Sequence, residues 1–185
     1  TPVRDGAYQG FAKPHHIAAR FLTDLGEGVA QSNFLNLDRV WKRRLIPNHD
    51  FGTNMELVPN GCYVAFNALA RFFEAARPVS KHRFANSVIA YGFRKNGKPV
   101  AAVWNYGKRD GISSDLSGFE VFDLFGNPLK SGELPCEAAP YYLRPGTLSD
   151  TAFFAKLAKL PVKIDRPVVP VDLVRLAGGA VYGTL

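Results

Sequence analysis

The chain holds little cysteine, methionine or tryptophan: 185 residues carry two, one and two of them. Cys62 and Cys136 lie far apart, and no close Cys/His spacing of the kind zinc sites use occurs, so neither a metal nor any other cofactor is expected. They can form one disulfide in an exported protein, but two unpaired, half-buried thiols are the reading we favour, and they decide no compartment. No uninterrupted apolar run is long enough to span a bilayer, which argues against a membrane partner. No basic-then-apolar signal peptide opens the chain. A mature or truncated protein would have lost one, so compartment stays undecided, with a lean to extracellular or periplasmic. Internal repeats and low-complexity tracts are also missing. Thr1 is no initiator and the single methionine is Met55, so we expect the chain to open inside a larger domain.

What is present fits a folded protein. An apolar fraction of 46% and an aromatic fraction of 12% are ordinary for a chain that buries a real core. Its length fits one large domain, or one small domain plus part of another. A net charge of +7 favours anionic partners, nucleic acid and acidic polysaccharide included. Apart from Trp41-Lys42-Arg43-Arg44 the basic residues are scattered singly, and no groove-reading motif occurs, so no nucleic-acid partner is expected.

The apolar spacing changes along the chain. Ile17, Phe21, Leu22 and Leu25 predict a helix over His15 to Leu25, stopped by Gly26 and Gly28. Val29 to Val40 reads as a strand, Trp41 to Asn60 as a loop, and Cys62 to Ala76 as a second helix ended by Arg77-Pro78. That order has the rhythm of an α/β domain. After Ser80 the pattern turns to strands. Ser87 to Arg94 and Val100 to Tyr106 flank the tight-turn pair Asn96-Gly97 and predict a hairpin. Gly107 to Gly118 reads as a loop, Phe119 to Leu124 as a strand, Phe125 to Pro128 as a turn, and Pro140 to Leu143 as a short strand. Leu148 to Leu160 contains a helical turn or two, and Val162 to Leu176 returns to strand character, with Pro167 and Pro170 suited to an edge.

Several residues invite a chemical reading. His15 and His16 are adjacent on a helix, point about 100° apart and cannot chelate together. His49-Asp50 has acid/base chemistry with no third partner that sequence can name. Ser113-Ser114-Asp115 and Ser149-Asp150 read as turn and helix-cap residues rather than nucleophiles. Gly178-Gly179 lacks the strand and helix that a phosphate loop requires. Trp104, in mid-strand, reads as core before it reads as a sugar platform. Asp123 and Asn127 bracket a turn and are expected to bond backbone amides. Lys42-Arg43-Arg44 can recognise uronic acids or sulfated sugars, a solvated charged loop being the default.

The segments Val100-Ala-Ala-Val-Trp-Asn105, Phe119-Glu-Val-Phe-Asp-Leu-Phe-Gly-Asn-Pro128 and Ala139-Pro-Tyr-Tyr-Leu143 resemble, in that order, the C-terminal β-sandwich of clan A glycoside hydrolases. A strand ending in Trp, a strand closing on Asp-x-x-Gly-Asn and a later Pro-x-Tyr-Leu strand carry the resemblance. Pro59 to Phe73 is similar to the stretch leading into the last helix of the same enzymes' (β/α)₈ barrel. His15 to Val40 then corresponds to helix seven and strand eight, and Thr1 to Phe11 to the loop after strand seven. The resemblance covers most of the chain. It implies an α/β barrel segment over residues 1 to 80, followed by an all-β sandwich over 81 to 185.

Retaining glycosidases need two carboxyl groups roughly 5 Å apart across the scissile bond. The resemblance implies glutamates at the ends of barrel strands four and seven, both upstream of Thr1. The six glutamates here, Glu27, Glu56, Glu74, Glu120, Glu133 and Glu137, do not match those positions. No catalytic residue is therefore assigned, and the chain is expected not to hydrolyse a glycoside by itself. Asn36, Asp38 and Trp41 fall at the end of the implied strand eight, where barrel sites form, and are the candidate substrate contacts. Against this, Asp38 can simply pair with Arg39 or Arg43, and Trp41 can anchor its loop. The expected partners are carbohydrate and either the missing N-terminal barrel portion or a second copy of the chain. The competing reading is a non-catalytic polysaccharide-binding or structural β-sandwich module. Exposed coplanar aromatics on one face would favour that module, and an unburied apolar face on His15 to Leu25 the enzyme fragment. A basic interaction protein, with steeply salt-dependent binding to polyanions, is a third reading.

Overall fold

Helix α1 (Pro14–Gly26) starts on a proline and buries Ile17, Ala18 and Leu22 along one stripe. It closes in a Schellman motif. The amide of Val29 donates to the carbonyl of Asp24 at 2.9 Å and that of Gly28 to Leu25 at 3.2 Å, with Gly28 at φ 74°. Only glycine takes that conformation without strain, and the predicted stop is the one observed. Helix α2 (Gly61–Phe73) buries Ala65, Ala68, Leu69, Phe72 and Phe73 and packs beside α1. The computed structural model describes residues 14–32, 61–84, 87–107 and 111–164, together with the backbone of 173–175 and 181–183.

The two helices lie on an antiparallel sheet. Strands β1 (Arg77–Arg83), β2 (Val88–Lys95), β3 (Lys98–Asn105), β5 (Glu120–Phe122), β6 (Pro128–Leu129) and β8 (Tyr141–Arg144) form six strands in the order β1-β2-β3-β8-β5-β6. The β2–β3 hairpin turns through Asn96 and Gly97, at φ 51° and 79°, the positive pair that a two-residue turn between twisted strands requires. Strands β4 (Ile112–Asp115), β7 (Glu133–Pro135) and β9 (Val162–Ile164) form a second sheet, ordered β7-β4-β9. Helix α3 (Asp150–Ala158) precedes β9, and β10 (Leu173–Arg175) pairs with β11 (Val181–Gly183).

Period-two alternation divides the large sheet between two cores. Ile89, Tyr91 and Phe93 of β2, Val100, Ala102 and Trp104 of β3, and Tyr142 of β8 share one core with α1 and α2. Val88, Ala90, Ala101, Val103, Val121 and Leu143 point the other way. They meet Ile112, Leu116 and Cys136 from the small-sheet side and Phe153 and Leu157 of α3. The architecture is mostly antiparallel β with few helices, two sheets facing each other across the second core.

Both predicted helices, the hairpin and the strands near Phe119 and Pro140 are present. Every strand pairing among the described residues is antiparallel, and the parallel pairing from which an α/β barrel is built does not occur among them. In the predicted strand Val29 to Val40, residues 29–32 are not strand, and 33–40 lie outside the described residues. The apolar stripes of α1 and α2 find their cover on antiparallel strands. Strand β1 crosses the predicted boundary at residue 80; Val79 is exposed and the half-buried positions are the polar Ser80 and His82, so its alternation carries no apolar signal. The predicted loop Gly107 to Gly118 contains β4, and Ser113 and Ser114 are buried strand residues rather than turn or cap residues. Their hydroxyls donate to Glu133 Oε1 and to the Pro161 carbonyl, both at 2.8 Å, which lets polar residues occupy a central strand.

Trp104 is core, as expected: 3% exposed and stacked on Tyr91 at 5.6 Å between centroids. Trp104→Ala should lower the unfolding free energy by about 3–5 kcal/mol in urea titration. Tyr142 is fully buried, yet its hydroxyl has no hydrogen-bond partner among the described residues. Removing an unsatisfied buried hydroxyl costs little. Tyr142→Phe should leave stability unchanged or raise it by up to about 1 kcal/mol, and a clear loss in the same titration would contradict this packing.

Candidate functional site

Asn36, Asp38 and Trp41 lie outside the described residues, as do Lys42 to Arg44, His49, Asp50 and Gly178-Gly179. Among the described residues a groove opens between α1 and α2. It holds about 360 Å³, with walls of Phe21, Leu25, Val29, Phe66, Leu69 and Phe73 and polar groups from Asp24, Ser32 and Glu74. Phe21 and Phe66 meet edge to face at 5.4 Å across it. Asp24 accepts hydrogen bonds from Ser32 Oγ at 2.6 Å and Arg20 Nε at 2.7 Å. Burial pushes its carboxyl pKa up, but these two donors and the arginine's charge outweigh that and hold it below 3.8. Its carboxylate is thus an ionised fixture that pins the chain at Ser32. The size and apolar walls suit one ring-shaped ligand.

A second cluster lies where α1 meets the sheet. Tyr91, 1% exposed, donates its hydroxyl to Glu27 Oε1 at 2.6 Å, and Lys81 from β1 pairs with the same oxygen. Gly26 makes room for this contact: a Cβ there would fall 2.1 Å from Tyr91 Cδ1. Burial, then the bond to Glu27, raises the phenol pKa, so Tyr91 remains a neutral donor. The hydrogen bonds from Lys81 and Tyr91 lower the pKa of Glu27. Glu133 is likewise lowered by its bonds from Lys163 and Ser113. A general acid needs its carboxyl pKa raised, so neither glutamate is prepared for that role.

The remaining candidates take structural places. The rings of His15 and His16 meet edge to face at 4.3 Å, and no group of three metal-ligating side chains occurs among the described residues. Asp123 Oδ1 accepts from the amides of Phe125 at 2.9 Å and Asn127 at 2.8 Å, as the turn reading required. Ser149 caps α3, accepting from the Ala152 amide at 3.3 Å. Cys136 is free and 4% exposed, and burial pushes its thiol up to about 11. Sequence reading missed the Glu27–Lys81–Tyr91 cluster, whose members stand 54 and 64 positions from Glu27 with no local motif joining them.

No family model and no curated protein matches the chain. Among solved structures, a family 39 glycoside hydrolase from the gut symbiont Bacteroides cellulosilyticus WH2 is similar at 14% identity and a TM-score of 0.40. The similarity covers 48% of this chain and 20% of that one, and at this level it carries no argument about activity.

Glu27 gives a pH prediction. Its pKa is lower in the folded state than the ordinary 4.5, so its contribution to stability is full above that value and fades as pH falls through the folded pKa. Glu27→Gln should therefore lower the urea midpoint most at neutral pH. The gap to the unsubstituted protein should close on acidification below pH 4.5, whereas a gap independent of pH would contradict the assignment.

Proposed function

We propose that this chain is the C-terminal portion of a clan A glycoside hydrolase, an enzyme that cleaves O-glycosidic bonds. The observation that supports this reading is where the resembling segments fall. Trp104 is the penultimate residue of β3, Asp123-x-x-Gly126-Asn127 forms the turn leaving β5, and Tyr142-Leu143 lies in β8. These strands are neighbours in the order β3-β8-β5, so three separated stretches of sequence meet in one sheet. In this reading residues 1 to 80 are the last barrel elements and 81 to 185 the sandwich. The catalytic glutamates precede Thr1, and Asn36, Asp38 and Trp41 lend substrate contacts. The sandwich supports the barrel, and the chain associates with the missing barrel portion or with itself.

The polysaccharide-binding module has less support. Such a module needs exposed aromatics in a plane, and the sheet aromatics Tyr91, Phe93, Trp104 and Tyr142 are buried. Among the described residues the exposed large aromatics are Tyr106 and Phe125, one after β3 and one in the β5–β6 turn. The second sign does not favour the enzyme fragment: the inner stripe of α1 is buried by this chain itself, and only Phe21, Leu25 and Phe66 are half-buried along the groove.

The test sets the 185-residue chain beside a longer protein that contains it. The chain alone should leave aryl glycosides and polysaccharides uncleaved. The longer protein should hydrolyse them and lose roughly 10²–10⁴-fold activity when its acid/base glutamate is changed to glutamine. Saturable polysaccharide binding by the chain alone, with no hydrolysis by the longer protein, would replace this reading with the binding module.

A further inference from the structure

A second cleft, about 480 Å³, opens on the large sheet between the end of α2, the β2–β3 hairpin and the exit of β8. Four cations line it, Arg71, Lys95, Lys98 and Arg144, with Asn96 and Phe72 beside them and no carboxylate among the described residues of its wall. Lys95 is already engaged: its ammonium donates to the carbonyl of Arg71 at 2.8 Å and to that of Ala70 at 3.4 Å, closing the end of α2.

Arg144 is not so engaged. Its guanidinium lies 4.6 Å from the ring centre of Phe72 and 5.2 Å from that of Phe122. A contact of this kind with ring faces takes none of the guanidinium's N–H donors as a hydrogen bond to a protein oxygen would, so they stay available to an acceptor. No protein acceptor takes them among the described residues, and Arg71 and Lys98 form no ion pair there either. Glu120 stands opposite Arg144 across the β5–β8 ladder, yet no ion pair joins them within 4.0 Å. Four other cations are matched, in Arg20–Asp24, Lys81–Glu27, Arg94–Asp150 and Lys163–Glu133, so what sets the cleft apart is that its cations share one concavity. Gathering like charges around one concavity raises the positive potential inside it, which draws an anion.

We propose that this cleft is a binding site for a sulfate or phosphate group. The cations reach it from three elements, so a tetrahedral oxyanion, with acceptors in several directions, fits better than a planar carboxylate, which offers one edge. A cleft of about 480 Å³ accommodates a single such group on a sugar-sized carrier rather than a track of phosphates along a duplex. The site shares none of the residues assigned above to substrate or to the α1–α2 groove, and it stands whether or not the glycosidase reading holds.

Titration calorimetry on the whole chain tests the proposal, with inorganic sulfate, inorganic phosphate, glucose 6-sulfate, glucose 6-phosphate and, as the planar control, glucuronate. Saturable binding of the tetrahedral oxyanions is expected, stronger than that of glucuronate. Arg144→Gln and Lys98→Gln should each weaken it by about tenfold or more, while Arg20→Gln, on the matched surface pair, should leave it unchanged. Equal affinity for free ions and esters assigns the site to the free oxyanion; tighter binding of the esters shows that the carrier is read as well. Lys98 sits at the exposed hairpin end, so its variant keeps the test valid if Arg144→Gln unfolds. Absence of saturable binding, indifference to both substitutions, or glucuronate binding as tightly would overturn the proposal.

Discussion

The rings of Phe72 and Phe73 on α2, Phe93 on β2 and Tyr142 on β8 are linked centroid to centroid at 5.0 to 5.3 Å. Tyr91 and Trp104 extend the same layer toward α1. Each such ring removes roughly 150–250 Å² from water, so this layer is the largest single block of apolar burial available to the helices and the sheet. Each side covers the other's apolar face. A bare sheet would expose Trp104, Tyr91 and Tyr142, and the helices would expose Leu22, Phe72 and Phe73. Short isolated helices such as these, 13 residues each, are marginal in water and need this packing to persist.

The polar features sit at the borders of that layer. At one border Tyr91 turns its hydroxyl outward to Glu27, which Lys81 also holds, so the end of α1 is tied to two strands. At the other, Phe72 supports Arg144, and the cleft with its unmatched cations begins. The groove between α1 and α2 opens along the third side, where Phe21 and Phe66 are only half covered. Two glutamates that sequence alone left without a role are locked in ion pairs with depressed pKa values.

Sequence spacing reached what is periodic. Ile17, Leu22 and Leu25 predicted α1, and alternation around Asn96-Gly97 predicted the β2–β3 hairpin almost to the residue. Strand β4 escaped because Ser113 and Ser114 are buried hydroxyls whose partners, Glu133 and Pro161, stand 20 and 47 positions away. Strand β1 escaped because Pro78 and an exposed Val79 gave it no apolar alternation. The α/β rhythm of helix, strand and helix led toward a barrel, but residues 29–32 are not strand, and both helices pack on antiparallel strands encoded later in the chain. Of the candidate site, Asn36, Asp38 and Trp41 lie outside the described residues. The cleft around Arg144 could not be read locally, because its cations are brought together from Arg71 to Arg144 by the fold.

If the aromatic layer makes α1, α2 and the six-stranded sheet one cooperative unit, their amides must open together. Hydrogen exchange on the native chain, followed residue by residue in increasing urea, measures this directly. The account predicts that the central amides of α1 and α2 converge on the same opening free energy as those of β2 and β3. Exchange of the helices at a much lower free energy, with β2 and β3 still protected, would show that the sheet stands without them and would contradict the account.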